Sequence, residues 1–72
     1  MKVFYDKQTD SVYIQFDERR PEGVVEVKEG VNVDVLPGGR IGGIEILGAS
    51  GKMDIRTILT YTIDEDALAS IR

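Results

Sequence analysis

Residues 30 to 50 constrain the fold more than any other stretch. Val31, Val33 and Val35 alternate with Asn32 and Asp34, and Ile44 and Ile46 alternate around Glu45. Period two places one apolar and one polar face on each segment, the pattern of a half-buried strand. Between them stands Leu36-Pro37-Gly38-Gly39-Arg40. Proline suits the first central position of a turn because its φ is already set, and glycine suits the next because a type II turn needs positive φ there. Parity then fixes the register. An even connection, Pro37 to Arg40, sets Val33 opposite Ile44, Val31 opposite Ile46 and Asn32 opposite Glu45. A slip of one residue would mix the faces. Glycine inside a strand often marks a bulge or a close approach by another backbone, and Gly42-Gly43 in the second strand is read as a bulge that adds twist, or as a flat spot for a partner or ligand.

The same reasoning gives a first hairpin over residues 2–6 and 11–17. A four-residue connection, Lys7 to Asp10, sets Val3 opposite Ile14, Tyr5 opposite Val12 and Phe4 opposite Tyr13. Asp6, Thr9 and Asp10 suit side-chain bonds to turn amides. A cation site on Asp6 and Asp10 lacks the ligand count of a calcium loop. Asp17 to Glu22 reads as a charged loop, in which Arg19-Arg20 is a solvated pair. Gly23 to Glu29 reads as a third strand, with Val25 and Val27 toward the core and Glu29-Gly30 as the corner into the central hairpin. The expectation is five strands following one another as an antiparallel meander. Its core would be Val3, Val12, Ile14, Phe16, Val25, Val27, Val31, Val33, Ile44 and Ile46.

Past Leu47 the alternation stops at Gly48-Ala49-Ser50-Gly51. Met53, Ile55, Ile58 and Leu59 have helical spacing, although β-branched residues crowd the segment; residues 52–60 are read as helix. Asp64, Glu65 and Asp66 suit a helix N-terminus, with Ala67, Leu68 and Ile71 as its apolar stripe. A helix of that length is too short to stand alone in water and must dock. The fold class is therefore α+β. One domain spans residues 1–72, with the meander over 1–47 and one or two C-terminal helices from 48–72 packed on one face.

Several of these residues carry a resemblance. Gly39-Arg40-Ile41, then Gly43-Ile44-Glu45-Ile46-Leu47 and Ala49-Ser50, resemble the signature of the domain of unknown function 2283 family, short prokaryotic proteins. Tyr5-Asp6, Thr9-Asp10 and Tyr13-Ile14 resemble its opening, and Val31 to Asp34 resembles the strand before its turn. Leu36-Pro37-Gly38-Gly39 departs from the pattern, since the family tends to place acidic residues and a single glycine there. Some members are similar in setting to antitoxins, so the resemblance implies association with a toxin-like protein.

Composition then narrows the chemistry. The 72 residues include no cysteine and no histidine. Disulfides, thiolate nucleophiles, Ser-His-Asp and Cys-His arrangements and Cys- or His-ligated metals are thereby excluded. No residue set points to a cofactor. A net charge of −4 disfavours nucleic acid and favours a basic protein partner. Nucleic-acid binding would require Arg19, Arg20, Lys28, Arg40, Lys52 and Arg56 to gather on one side. No stretch reaches the roughly 20 apolar residues that span a membrane, and the opening lacks a signal-peptide core, so the expected location is cytoplasmic. A chain this small gains from oligomerising, and a homo-oligomer, a dimer, is expected.

The polar sheet face gathers Tyr13, Gln15, Glu26, Asn32, Asp34 and Glu45. Tyr13, Asn32, Asp34 and Glu45 are its candidate binding residues. The favoured reading is a small acidic, non-catalytic interaction module, antitoxin-like by resemblance. The alternative is a structural homo-oligomer with a small-ligand or catalytic site on the polar face or between subunits. A cleft burying Glu45 beside Asp34 would favour that alternative.

Overall fold

The computed structural model describes residues 1–60 and Ile71. It forms one five-stranded antiparallel sheet from β1 (Lys2–Asp6), β2 (Ser11–Gln15), β3 (Gly23–Lys28), β4 (Val31–Val35) and β5 (Ile41–Leu47). The spatial order is β1-β2-β5-β4-β3. The antiparallel sheet matches the sequence expectation, but the simple meander does not. After β2 the chain crosses the end of the sheet to the far edge, and β3, β4 and β5 return as consecutive hairpins to lie beside β2. This is the connectivity of a Greek key.

The crossing spans three strand spacings, about 14 Å. Residues 16–22 cover that distance easily. They are pinned at both ends: Phe16 and Asp17 amides donate to the Gly42 carbonyl at 2.9 and 3.2 Å, and the Glu22 amide donates to Val35 at 2.9 Å. Parity permits either order, because both keep apolar residues on one face. The choice falls to fit, and β2 fits beside β5 through a side-chain contact described below.

Every register expected from parity is present. Val3 faces Ile14, Phe4 faces Tyr13 and Tyr5 faces Val12. Val31 faces Ile46, Asn32 faces Glu45 and Val33 faces Ile44. The shift between Asp34 and Val35 makes Gly42 the bulge residue, since Asp34 pairs Gly43 while Val35 pairs Ile41. Gly38 has φ 82° and ψ 12°, and the Gly39 amide donates to the Leu36 carbonyl at 3.2 Å. That is the expected type II turn over Pro37-Gly38.

Across the strands, the apolar face reads Val3, Ile14, Ile44, Val33, Val25 in one row and Tyr5, Val12, Ile46, Val31 in the next. Among the described residues, the fully buried apolar ones are Val12, Leu36 and Ala49. Two of the three were not among the expected core. Leu36, assigned to the turn, instead folds back over the Gly42 bulge, where a Cβ on Gly42 would lie 3.0 Å from its Cδ2. Ala49 docks because its amide donates to Asp10 at 2.8 Å.

Conversely, Val25 is 52 %, Val27 60 % and Phe16 46 % exposed, and Val3 is also exposed. The cause is position. β1 and β3 are edge strands with one lateral neighbour each, and Val27 falls in a second bulge, between Glu26 and Lys28. The cover on the apolar face, among the described residues, lies toward β1 and β2. There Met53 and Ile58 share a groove of about 350 Å³ with Val3 and Ile14.

The helix expected over 52–60 is a short 3-10 turn, Ile55–Leu59, and no α-helix occurs among the described residues. Local bonds explain this. Asp54 accepts from the Arg56 amide at 3.1 Å, and the Thr57 hydroxyl donates to the Asp54 carbonyl at 2.7 Å. Such side-chain bonds compete with an α-helical ladder, and the β-branched Ile55, Thr57, Ile58 and Thr60 resist it further. The second helix, expected from Asp64 to Ile71, lies outside the described residues apart from its last position.

Stability for a chain of this size is about 4 to 11 kcal/mol. Leu36→Ala should cost about 2 to 5 kcal/mol by emptying a buried site. Val27→Ala should stay within about 0.5 kcal/mol, as exposed substitutions do. Urea denaturation of the two variants checks the inversion: equal losses would mean that Val27 is covered.

Candidate functional site

The polar face also reads in rows. One runs Phe4, Tyr13, Glu45, Asn32, Glu26, and the next runs Lys2, Gln15, Gly43, Asp34, Val24. Strand alternation alone places Tyr13, Asn32, Asp34 and Glu45 on this face. The four come together as two bonded pairs on three adjacent strands. The Tyr13 hydroxyl on β2 donates to Asp34 Oδ2 on β4 at 2.6 Å, crossing over β5. Asn32 Nδ2 on β4 donates to Glu45 Oε1 on β5 at 3.2 Å.

Gly43 makes the longer reach possible. A Cβ there would sit 2.6 Å from Tyr13 Cζ and 2.8 Å from the Ile14 carbonyl oxygen, both impossible contacts. The missing side chain on β5 is the channel in which the phenol lies. The bulge expected at Gly42-Gly43 is therefore present at Gly42, and Gly43 is the point that the Tyr13 phenol and the Ile14 backbone approach closely. On the other side of Tyr13, Phe4 packs with its ring centroid 6.4 Å away and tilted by 31°.

The electrostatics follow from that placement. The bond to Asp34 pushes the Tyr13 phenol up to about 12, with burial and the negative charges of Asp34 and Glu45 acting in the same direction. Tyr13 is thus held as a neutral donor across the physiological range. A phenol tuned this way is a poor nucleophile and a poor base. The four residues are half-buried, and no polar or charged residue is buried among the described ones. The two carboxylates keep free lone pairs toward solvent. They can accept further hydrogen bonds from a cationic or amide-bearing surface.

A second polar cluster was legible only in fragments. Asp10 ends the first hairpin at φ 51°, a left-handed conformation that Asp tolerates. Its carboxylate accepts from the Ser50 amide at 3.1 Å, the Ser50 hydroxyl at 2.7 Å and the Tyr5 hydroxyl at 3.2 Å. These bonds, led by the Ser50 hydroxyl, hold the Asp10 carboxyl below its usual range. The cluster ties the first hairpin to the chain leaving β5. Asp6 serves elsewhere, accepting from the Gln8 and Thr9 amides at 2.9 and 3.4 Å. Asp6 and Asp10 are therefore engaged by different partners, and no cluster of three metal-ligating side chains occurs among the described residues.

Three of the basic residues are likewise engaged locally. Arg19 pairs with Asp17 at 2.9 Å, which brings the Asp17 carboxyl down to about 2. Arg56 pairs with Asp54 at 3.1 Å, and Lys52 donates to the Leu47 carbonyl. No helix of the described residues is long and apolar enough to cross a membrane.

The fold and this face define a small single-sheet Greek-key protein whose polar face carries a cross-strand tyrosine–carboxylate net. The family model described as "Protein of unknown function (DUF2283)" matches residues 2–50, more than half of the chain, and the chain belongs to that family. No curated protein and no solved structure matches. The match ends at Ser50, the residue that Asp10 holds.

Tyr13→Phe should lose about 1.5 to 3 kcal/mol, the usual worth of a bond to a charged acceptor. Gly43→Ala should cost about 1 to 3 kcal/mol by overpacking. The Tyr13 pKa is raised on folding, so its contribution is complete below about pH 10 and is lost as pH rises toward about 12. Spectrophotometric titration should show a late tyrosinate step that Tyr13→Phe removes. A Tyr13→Phe variant with unchanged melting and titration would contradict the bond.

Asp10 carries the opposite sign. Its depressed pKa means that the tether is complete above the ordinary aspartate range and weakens as pH falls below it. Asp10→Ala should speed amide exchange in residues 49–53 more than Asp10→Asn does, because Asn tolerates the left-handed backbone and keeps one acceptor.

Proposed function

We propose that this chain is a non-catalytic protein-association module that engages a basic protein. The observation that carries the reading is the composition of the polar face. Its carboxylates are half-buried and already orient one another's neighbours, and exposed apolar residues flank them: Phe4 at 53 % and Val24 at 62 %. A sheet face that combines half-exposed acids with apolar patches suits a protein partner better than a small molecule. The net charge of −4 favours a basic one and speeds the encounter. The resemblance to antitoxins in setting supports the same reading: this chain would mask a small basic protein.

The alternative of a ligand or catalytic site on this face draws less support. Its one group with a large shift is Tyr13, shifted away from reactivity, and neither Asp34 nor Glu45 is buried. Tagged protein exposed to its native lysate and eluted with a salt gradient tests the proposal. A basic protein should be released as salt rises, and the purified partner should rebind wild type but bind an Asp34→Asn, Glu45→Gln variant at least tenfold more weakly. Binding that ignores both salt and these substitutions would overturn it.

A further inference from the structure

The edge strand β1 reads Lys2-Val3-Phe4-Tyr5-Asp6 and is exposed along its whole length. Among the described residues, no strand pairs with its outer side. An unpaired edge of this kind is a template for another strand unless it is blunted. The other edge, β3, is blunted: a bulge interrupts it between Glu26 and Lys28. β1 has no bulge, and its pairing with β2 is regular throughout.

The sequence of β1 is complementary to itself when reversed. If a second copy lies antiparallel with Phe4 opposite Phe4, Lys2 of each chain falls opposite Asp6 of the other. Val3 then falls opposite Tyr5. Alternation puts the two Lys2-Asp6 pairs and the Phe4 pair on the polar face, and the two Val3-Tyr5 pairs on the apolar face. Moving the register by two residues either way sets a charge against Phe4. Moving it by one reverses the faces. On β3, the register that pairs Glu22 with Lys28 sets Val24 against Glu26, and the next sets Glu26 against itself. β1 thus has one register that satisfies charge and apolar contact together along its whole length; on β3 the comparable register, Glu26 opposite Lys28 about Val27, falls on the bulge.

We propose that the chain forms a two-fold dimer by β1–β1 pairing, making a continuous ten-stranded sheet from two copies. The occupant of the β1 edge is a second copy of this chain. Charge complementarity selects it, since a generic basic strand would leave Lys2 opposite a like charge. The apolar groove beside Val3 lies on the same edge, so Tyr5 of the second copy adds apolar cover at its margin. Lys2 is free to change partner: its pair with Glu18 spans 3.7 Å between two highly exposed side chains. Such surface pairs hold little. Asp6 can keep its turn role, since Oδ1 takes both turn amides and leaves Oδ2 for the lysine. Five residue pairs bury less than the roughly 1,600 Å² of a standard interface, so the dimer should depend on concentration. This deepens the association reading while using a different edge of the molecule.

Sedimentation of the wild-type chain over a wide concentration range tests it. Mass should rise from one chain to two, and Lys2→Glu should weaken the dimer about tenfold by making both end pairs repulsive. The chain has no cysteine, so single cysteines report the seam directly. Phe4→Cys should be joined into a covalent dimer by a short bis-maleimide, and Val25→Cys on β3 should not. A monomer at every concentration, or linking through Val25→Cys alone, overturns the proposal. Either result leaves salt-released binding of a basic partner unaffected, so the two readings fail separately.

Discussion

The sheet depends on the pairing of β2 with β5. Among the described residues, it is the one ladder that joins the first hairpin to the other three strands. Its apolar side is ordinary, with Val12 against Ile46 and Ile14 against Ile44. Its polar side is not, because a tyrosine on one strand must lie over the backbone of the other. That requires a residue without Cβ at position 43, and the result is a bond between strands that are not neighbours. β2, β5 and β4 are thereby fastened on both faces, by apolar rows on one and the Tyr13–Asp34 bond on the other. A strand with a side chain at 43 would pair with β2 less closely and leave Asp34 without its donor.

The second fastening, Asp10 to Ser50, acts at the end of the same ladder. It spans 40 positions in sequence and joins the turn before β2 to the turn after β5. The family resemblance rests partly on Thr9-Asp10 and Ala49-Ser50. The geometry gives those residues a structural role. Ala49 is buried, its amide bonds the Asp10 backbone, and Ser50 closes on the Asp10 carboxylate. The Gly43-Ile44-Glu45 portion has one as well, since Gly43 receives Tyr13, Ile44 anchors an apolar row and Glu45 takes Asn32. The shared pattern thus marks how the sheet is closed. It does not by itself mark a reacting centre.

How much was legible follows from what each inference used. Registers within hairpins rest on parity, which the residue pattern displays directly, and Val3–Ile14 and Val33–Ile44 pair accordingly. Strand order does not rest on parity. A meander and a Greek key place the same side chains on the same faces, and what separates them is the fit of Tyr13 over Gly43. That contact joins residues far apart in the chain, and no local pattern reveals it. Burial of Leu36 was hidden for a related reason. Its neighbours Pro37 and Gly38 announce a turn, but the space it fills is created by a bulge on the opposite strand. The exposure of Val25 and Val27 was hidden because alternation reports which face a residue is on, and not whether anything covers that face. Tyr13, Asn32, Asp34 and Glu45 were legible as a group because a shared face is a matter of parity. Their pairing into two bonds was not.

These constraints also bear on what the surface can do. Each carboxylate at a tight position has a structural donor: Asp34 has Tyr13, Glu45 has Asn32, Asp10 has Ser50 and Asp17 has Arg19. A group held this way is oriented as an acceptor, which suits recognition. The chain thus places its acids as fixed acceptors on the sheet and leaves apolar side chains at both edges. One edge is bulged and mixed in sign, and the other is regular and complementary to itself. Among the described residues, the edges of the sheet are where backbone donors and acceptors still lack partners. The polar face and the β1 edge therefore present different chemistry: side-chain acceptors on the face, and unpaired backbone groups along the edge.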